Sequence, residues 1–138
     1  MTGKYFHSLD AKGRLFVPSK LREELGETFY ITPGLGGCLS VYPMAKWSQI
    51  EEHYKTLPLT QAAKLRGFFA NAAKCEPDKQ GRFLIPAELR SYAGLTDDVT
   101  FLGQVDHAEI WNAAAYAKED QVFIEPENLA AVMEELHF

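Results

Sequence analysis

The sequence predicts an α+β, β-rich protein made of two tandem copies of one small unit with flanking helices. Three observations carry this. Residues 8–26 and 76–94 align without a gap at an offset of 68, with identity at seven of 19 positions. Short apolar runs of strand length are punctuated by Asp, Gly and Pro at turn spacing. Apolar residues at helical spacing then follow the strands of each copy.

The elements follow in order. Tyr5 to Leu9 has the composition of a strand, and Asp10-Ala11-Lys12-Gly13 fits a type I turn, with Asp first and Gly fourth. The Asp10 carboxylate can accept from the backbone N–H two residues on, and Gly13 can take a positive φ without steric cost. Arg14 opens a return strand, Leu15-Phe16-Val17, so the expected unit begins with a β-hairpin. Asp78-Lys79-Gln80-Gly81 is the same turn in the second copy, and Arg82 opens Phe83-Leu84-Ile85. Pro18 and Pro86 end those strands and start short helices that run to about Leu25 and Ala93, with Gly26 and Gly94 as C-terminal caps. Two further strands complete each copy, at Thr28 to Thr32 and Cys38 to Tyr42, and at Val99 to Leu102 and Ala108 to Trp111.

Between the copies, Trp47, Ile50, Tyr54 and Leu57 form one apolar stripe on a helix that begins at Pro43-Met44. Thr60 is the expected N-cap of a second helix carrying Ala62, Leu65, Phe69 and Ala72. Asn112 can cap a helix from Ala113, and Pro126-Glu127 starts a last one with Leu129, Val132 and Leu136. The resulting division is residues 1–73 for the first repeat with its connecting helices, 74–120 for the second, and 121–138 for an acidic C-terminal helix or tail. Four short strands leave exposed edges and an unfinished core, so the two units are expected to complete each other, and the leftover helical stripes point to packing between chains.

Composition excludes several classes. With 46% hydrophobic residues and 12% aromatic, the 138-residue chain is not a disordered one. No stretch reaches the ~18 apolar residues of a membrane span, and the first residues lack a signal-peptide core, so a cytoplasmic protein is expected. Cys38 and Cys75 are too few and too isolated for a disulfide framework and read as small buried hydrophobes. His7, His53, His107 and His137 lack metal-ligand spacing; no metal, cofactor or catalytic set is expected, and the protein is not expected to be an enzyme.

The formal net charge of -5 argues at first against a nucleic-acid partner. Its distribution reverses the argument. Residues 106–138 hold eight acids and one base, whereas the first 22 hold five bases (Lys4, Lys12, Arg14, Lys20, Arg22) against Asp10 alone.

The residues His7-Ser8-Leu9-Asp10-Ala11-Lys12-Gly13-Arg14 with Pro18, then Val41-Tyr42-Pro43, Phe68-Phe69, Cys75-Glu76, Asp78 to Arg82 and Ile85-Pro86 resemble the bacterial MraZ family. The resemblance runs from about residue 3 to 116, and the doubled Asp-x-x-x-Arg motif is its most specific part. It implies two AbrB-like swapped-hairpin halves forming a pseudo-two-fold β-barrel, and a homo-oligomer arranged as a ring. It also implies a nucleoid-associated transcriptional regulator that binds direct repeats in double-stranded DNA upstream of the division and cell-wall operon.

The expected DNA-binding residues are Arg14 and Lys12 foremost, supported by Arg82, Lys79 and Lys4; Asp10, Gly13, Asp78 and Gly81 are expected to shape the turns. Two compatible readings stay open for Arg14 and Arg82. Each can bond the turn's own Asp and fix the backbone, or offer its guanidinium fork to phosphate or guanine. The second turn has Gln80 at the position of Lys12 and should contribute less. The alternative function is an oligomeric scaffold that binds no DNA, whose acidic tail takes a protein partner.

Overall fold

The computed structural model describes all 138 residues. Its larger sheet has six antiparallel strands in the order β1-β7-β8-β4-β3-β5, formed by β1 (Lys4–Ser8), β3 (Phe29–Pro33), β4 (Leu39–Pro43), β5 (Ala73–Cys75), β7 (Asp98–Gly103) and β8 (Ala108–Asn112). A separate two-stranded ribbon pairs β2 (Arg14–Phe16) with β6 (Arg82–Leu84). The protein is therefore α+β and mostly antiparallel.

Two details differ from expectation. β1 and β2 flank one turn yet do not pair with each other beyond it: β1 runs along β7 of the second repeat, and β2 runs along β6. In the same sense β5 of the second repeat pairs with β3 of the first. The expected β-barrel does not close, because β1 and β5 are the two free edges of the six-stranded sheet. β2 and β6 pair with each other as a separate ribbon instead of extending either edge, and Pro18 and Pro86, lacking an N–H, stand two residues beyond them.

The two repeats share one core. Its 18 buried residues come from both, among them Leu15, Leu21, Leu25, Phe29 and Ile31 from the first and Phe83, Ile85, Leu89 and Phe101 from the second. Phe29 meets Phe83 edge to face at 5.1 Å, an aromatic pair that joins the halves across the ribbon.

Helices cover the ends. A 3-10 turn (Ser19–Leu21) leads into α1 (Arg22–Leu25), and α5 (Ala87–Tyr92) occupies the same place in the second repeat. Gly26 and Gly94 follow with φ of 76° and 63°, the left-handed geometry that ends a helix without a Cβ clash. Over the first repeat lie α2 (Met44–Lys55), α3 (Leu59–Ala62) and α4 (Arg66–Ala70). Thr60 does not cap the second helix: Pro58 holds the N-cap position without a side-chain bond, and the helix breaks through a 3-10 turn at Ala63–Leu65. α6 (Ala113–Phe123) is capped by Asn112, whose Oδ1 accepts from the Ala115 N–H at 3.0 Å. α7 (Pro126–Glu135) completes the chain. No helix is long and apolar enough to cross a membrane.

Candidate nucleic-acid interface

The two turns are built alike, bond for bond. In the first, the Lys12 and Arg14 backbone N–H groups both donate to Asp10 Oδ1 at 2.9 Å, and Arg14 Nε donates to Asp10 Oδ2 at 2.7 Å. In the second, the Gln80 and Arg82 N–H groups donate to Asp78 Oδ1 at 2.9 and 3.0 Å, and Arg82 Nε reaches Asp78 Oδ2 at 3.0 Å. The N–H of Gly13 closes onto the Asp10 carbonyl at 3.0 Å, and that of Gly81 onto the Asp78 carbonyl at 2.9 Å. Both glycines have left-handed φ, 80° and 83°. A carboxylate that accepts several N–H bonds is stabilised in its charged form, so both aspartates titrate below the ordinary carboxylate value. The largest cause is the backbone N–H of the following arginine, Arg14 for Asp10 and Arg82 for Asp78.

This geometry reconciles the structural and recognition readings of each arginine. Of the Arg14 guanidinium Asp10 engages only Nε, and no hydrogen bond within the chain occupies either Nη; the same holds for Arg82 and Asp78. Nε bonding turns the guanidinium so that its terminal edge is free for a bidentate acceptor. The aspartate's own charge is meanwhile compensated within the turn, which lessens its repulsion of a phosphate.

The ribbon sets the spacing of the pair. Register places Arg14 opposite Leu84 and Phe16 opposite Arg82, with Leu15 and Phe83 paired between them. Opposed residues share a face, so Leu15 and Phe83 are buried while Arg14, Phe16, Arg82 and Leu84 stand on the outer face. The two arginines are diagonal neighbours there, with Cα atoms roughly 7–8 Å apart. The turns occupy opposite ends of the ribbon and are locked across the repeats: Ile85 N–H donates to the Gly13 carbonyl at 3.0 Å, and Val17 N–H to the Gly81 carbonyl at 2.9 Å.

A second pair of arginines braces this arrangement. Arg22 Nε donates to the Val17 carbonyl at 3.1 Å and Arg90 Nε to the Ile85 carbonyl at 3.0 Å. Each guanidinium lies over the turn glycine of the other repeat, so a Cβ on Gly13 would come within 2.7 Å of Arg90 Cζ, and one on Gly81 within 2.7 Å of an Arg22 Nη. Arg22 and Arg90 are not among the expected site residues, although Arg22 is one of the five early bases. Their cross-repeat reach requires the β2–β6 pairing, which no local pattern encodes. Phe16 and Leu84 are not among the expected site residues either, although strand alternation about Leu15 and Phe83 identifies them as outward.

The lysines divide. Lys12 and Lys79 are exposed on the turns. Lys4 lies at the far end of β1, about 13 Å of strand from Ser8, with its Nζ 2.8 Å from Asp120 Oδ2 on α6. The structure brings Lys4 to the acidic segment and not to the turns. Beside the second turn a cleft of about 780 Å³ is edged by Glu23, Glu27 and Glu76. Cys38 and Cys75 are free and buried, and burial pushes both thiols up to about 12, so neither is a nucleophile.

The sequence model of the MraZ protein family matches the chain twice, over residues 1–66 and 68–135, which carries the likeness well past residue 116. A protein of Heliobacterium modesticaldum is 49% identical over 122 residues, 86% of this chain and 85% of its own length. One from Caldicellulosiruptor bescii is 46% identical over 140 residues, covering 99% and 98%, and one from Lachnoclostridium phytofermentans is 52% identical over 112 residues, covering 80% and 79%. All three are named "Transcriptional regulator MraZ", the name of a regulator and not of an enzyme. With the family matched over both repeats and half of the residues shared along most of its length, the chain belongs to the MraZ family.

Proposed function

We propose that this protein is a transcriptional regulator of the cytoplasm and nucleoid that reads double-stranded DNA through its two Asp-x-x-x-Arg turns. Its operator would be direct repeats upstream of the division and cell-wall operon, bound by a homo-oligomeric ring whose copies present the turns side by side. The exchange of β1 and β5 between the halves supports a swapped-hairpin relation of the two repeats, residues 1–73 and 74–120. One observation carries the proposal most: each turn's aspartate takes the arginine's guanidinium by Nε alone and leaves both Nη groups without a partner on the outer face of the ribbon.

In this reading Arg14 and Arg82 offer the bidentate fork suited to guanine or phosphate, and Lys12 and Lys79 add phosphate contacts. Phe16 and Leu84 supply apolar contact of the kind a thymine methyl accepts. Asp10, Gly13, Asp78 and Gly81 shape the turns. Multiplicity around the assembly turns several modest contacts into tight binding. Footprinting on the DNA upstream of the protein's own operon tests this. We expect regularly spaced protection by the native chain and none by Arg14→Ala; equal protection by both, or none by the native chain, contradicts the proposal.

A second reading, a scaffold without DNA, draws on one feature, the fully exposed helix α7. A salt titration separates the two, since neutralising several phosphates makes affinity fall steeply with salt.

A further inference from the structure

α7 is ten residues long, and every residue from 121 to 138 is exposed. Its cap is made: the Glu125 carboxylate accepts from the Glu127 and Asn128 N–H groups at 3.3 and 3.1 Å, and Asn128 Nδ2 donates to the Val122 carbonyl at 2.9 Å. Its apolar face is not covered. Leu129, Val132, Met133 and Leu136, on one face by their spacing of three, one and three, are 44%, 36%, 44% and 58% exposed. A helix of this length is marginal in water on its own, since nucleation needs the ~12–15 residues or the tertiary contact that α7 lacks. Its only substantial neighbour is α6. α6 gives that face no apolar groove to lie in, and its own Val122 and Phe123 remain 56% and 59% exposed.

The first repeat has one. Trp47, Tyr54, Phe68 and Phe69 form an aromatic cluster between α2 and α4, with Tyr54 and Phe69 at 4.6 Å and Trp47 and Phe69 at 5.7 Å. Beside it lies a cavity of about 430 Å³ whose apolar wall includes Ile50, Leu57 and Leu65. Its charge is opposite to that of α7. Residues 44–74 carry five Lys or Arg against Glu51 and Glu52, whereas residues 119–138 carry six carboxylates and no Lys or Arg. The match extends to particular positions. Leu65 stands between Lys64 and Arg66, both exposed, and Glu135 borders the apolar stripe of α7, next to Leu136 and three residues from Val132. Opposite charges arranged around apolar contacts select partner and register.

We propose that α7 of one copy of this chain lies in the α2–α4 groove of a second copy, with Met133 and Leu136 against Leu65 and Phe69, and Glu135 facing Lys64 and Arg66. The acidic tail is then an assembly clamp. Because donor helix and acceptor groove are different patches, the contact passes from copy to copy and closes into a ring when the rotation permits. The proposal rests on the homo-oligomeric reading above and is independent of DNA.

Mixing a Leu65→Cys chain with a Met133→Cys chain under mild oxidation tests it, alongside sedimentation of the native protein. Both positions are exposed, and the native cysteines are buried. A disulfide joining one chain of each kind, absent when either variant is oxidised alone, is the expected result. No mixed disulfide while the native chain sediments as an oligomer overturns the clamp and leaves the oligomer standing. A native chain that sediments as a monomer at every concentration overturns both. A Leu65→Cys/Met133→Cys chain that only cross-links internally also overturns the proposal, showing that α7 folds back. As a second readout, Glu135→Lys should raise the half-assembly concentration several-fold, and adding Lys64→Glu/Arg66→Glu should restore it; no effect of the first substitution argues against the clamp.

Discussion

The two turns share a skeleton and differ in surface. Their hydrogen bonds agree to within 0.3 Å and their glycine φ angles are 80° and 83°. Their charges are placed differently: the first has Ala11 and Lys12 where the second has Lys79 and Gln80, and the second stands beside Glu23, Glu27 and Glu76. Turn geometry and turn chemistry are therefore separable. Asp, Gly and Arg at fixed spacing build the same scaffold twice, and the remaining positions decide how attractive each copy is to a polyanion.

That separation can be broken or sharpened by experiment. The largest effect belongs to the arginines. Arg14→Ala should lower operator affinity at least about 100-fold by fluorescence anisotropy, since one bidentate contact is worth roughly 1–3 kcal/mol and recurs in every copy. Arg82→Ala should cost only about ten-fold, and equal losses would end the asymmetry. The glycines should behave the other way, symmetrically. Gly13→Ala and Gly81→Ala each force a side chain into left-handed φ against a guanidinium, and each should lower folding stability by about 1–3 kcal/mol in urea melts. A large difference between them would show that the turns do not carry equal structural weight.

Gln80→Lys tests the surface difference alone. It should raise affinity a few-fold and steepen the salt dependence by about one unit of slope for each engaged copy. The smallest effect concerns acid. Both aspartates are held below their ordinary value of 3.8, so the folded chain binds those protons more weakly than the unfolded chain does. Their contribution is fully present above that value and fades as pH falls through the depressed one. Thermal melts below about pH 4 should lose this increment, and Asp10→Asn and Asp78→Asn should each remove a similar part of the acid sensitivity, the rest belonging to Asp106 beside His107 and Asp120 beside Lys4.

Sequence patterns disclosed what is local. Asp10 to Gly13, Asp78 to Gly81, the proline starts, the Gly26 and Gly94 caps and the Asn112 cap all depend on residues within four of one another, and the structure has each in place. What escaped is what depends on the other repeat. The choice of β6 over β1 as partner for β2 is made by the shared burial of Leu15 and Phe83, and only that pairing lets Arg22 and Arg90 reach the opposite turns. Lys4 looked basic and free until folding laid it against Asp120, more than a hundred residues away. The break in the second connecting helix was hidden because its apolar spacing suits either one helix or two short ones. The open sheet edges were unreadable for the same reason, since edges are properties of the assembled sheet.

The central claim is that Arg14, held by Asp10 and free at its Nη groups, reads DNA. It is tested most directly by titrating native protein and Arg14→Ala onto the DNA upstream of the protein's own operon across a range of salt, with circular dichroism on the same samples. The account predicts steeply salt-dependent binding by the native chain and its loss in a variant that remains folded. Binding by folded Arg14→Ala equal to that of the native chain would contradict it.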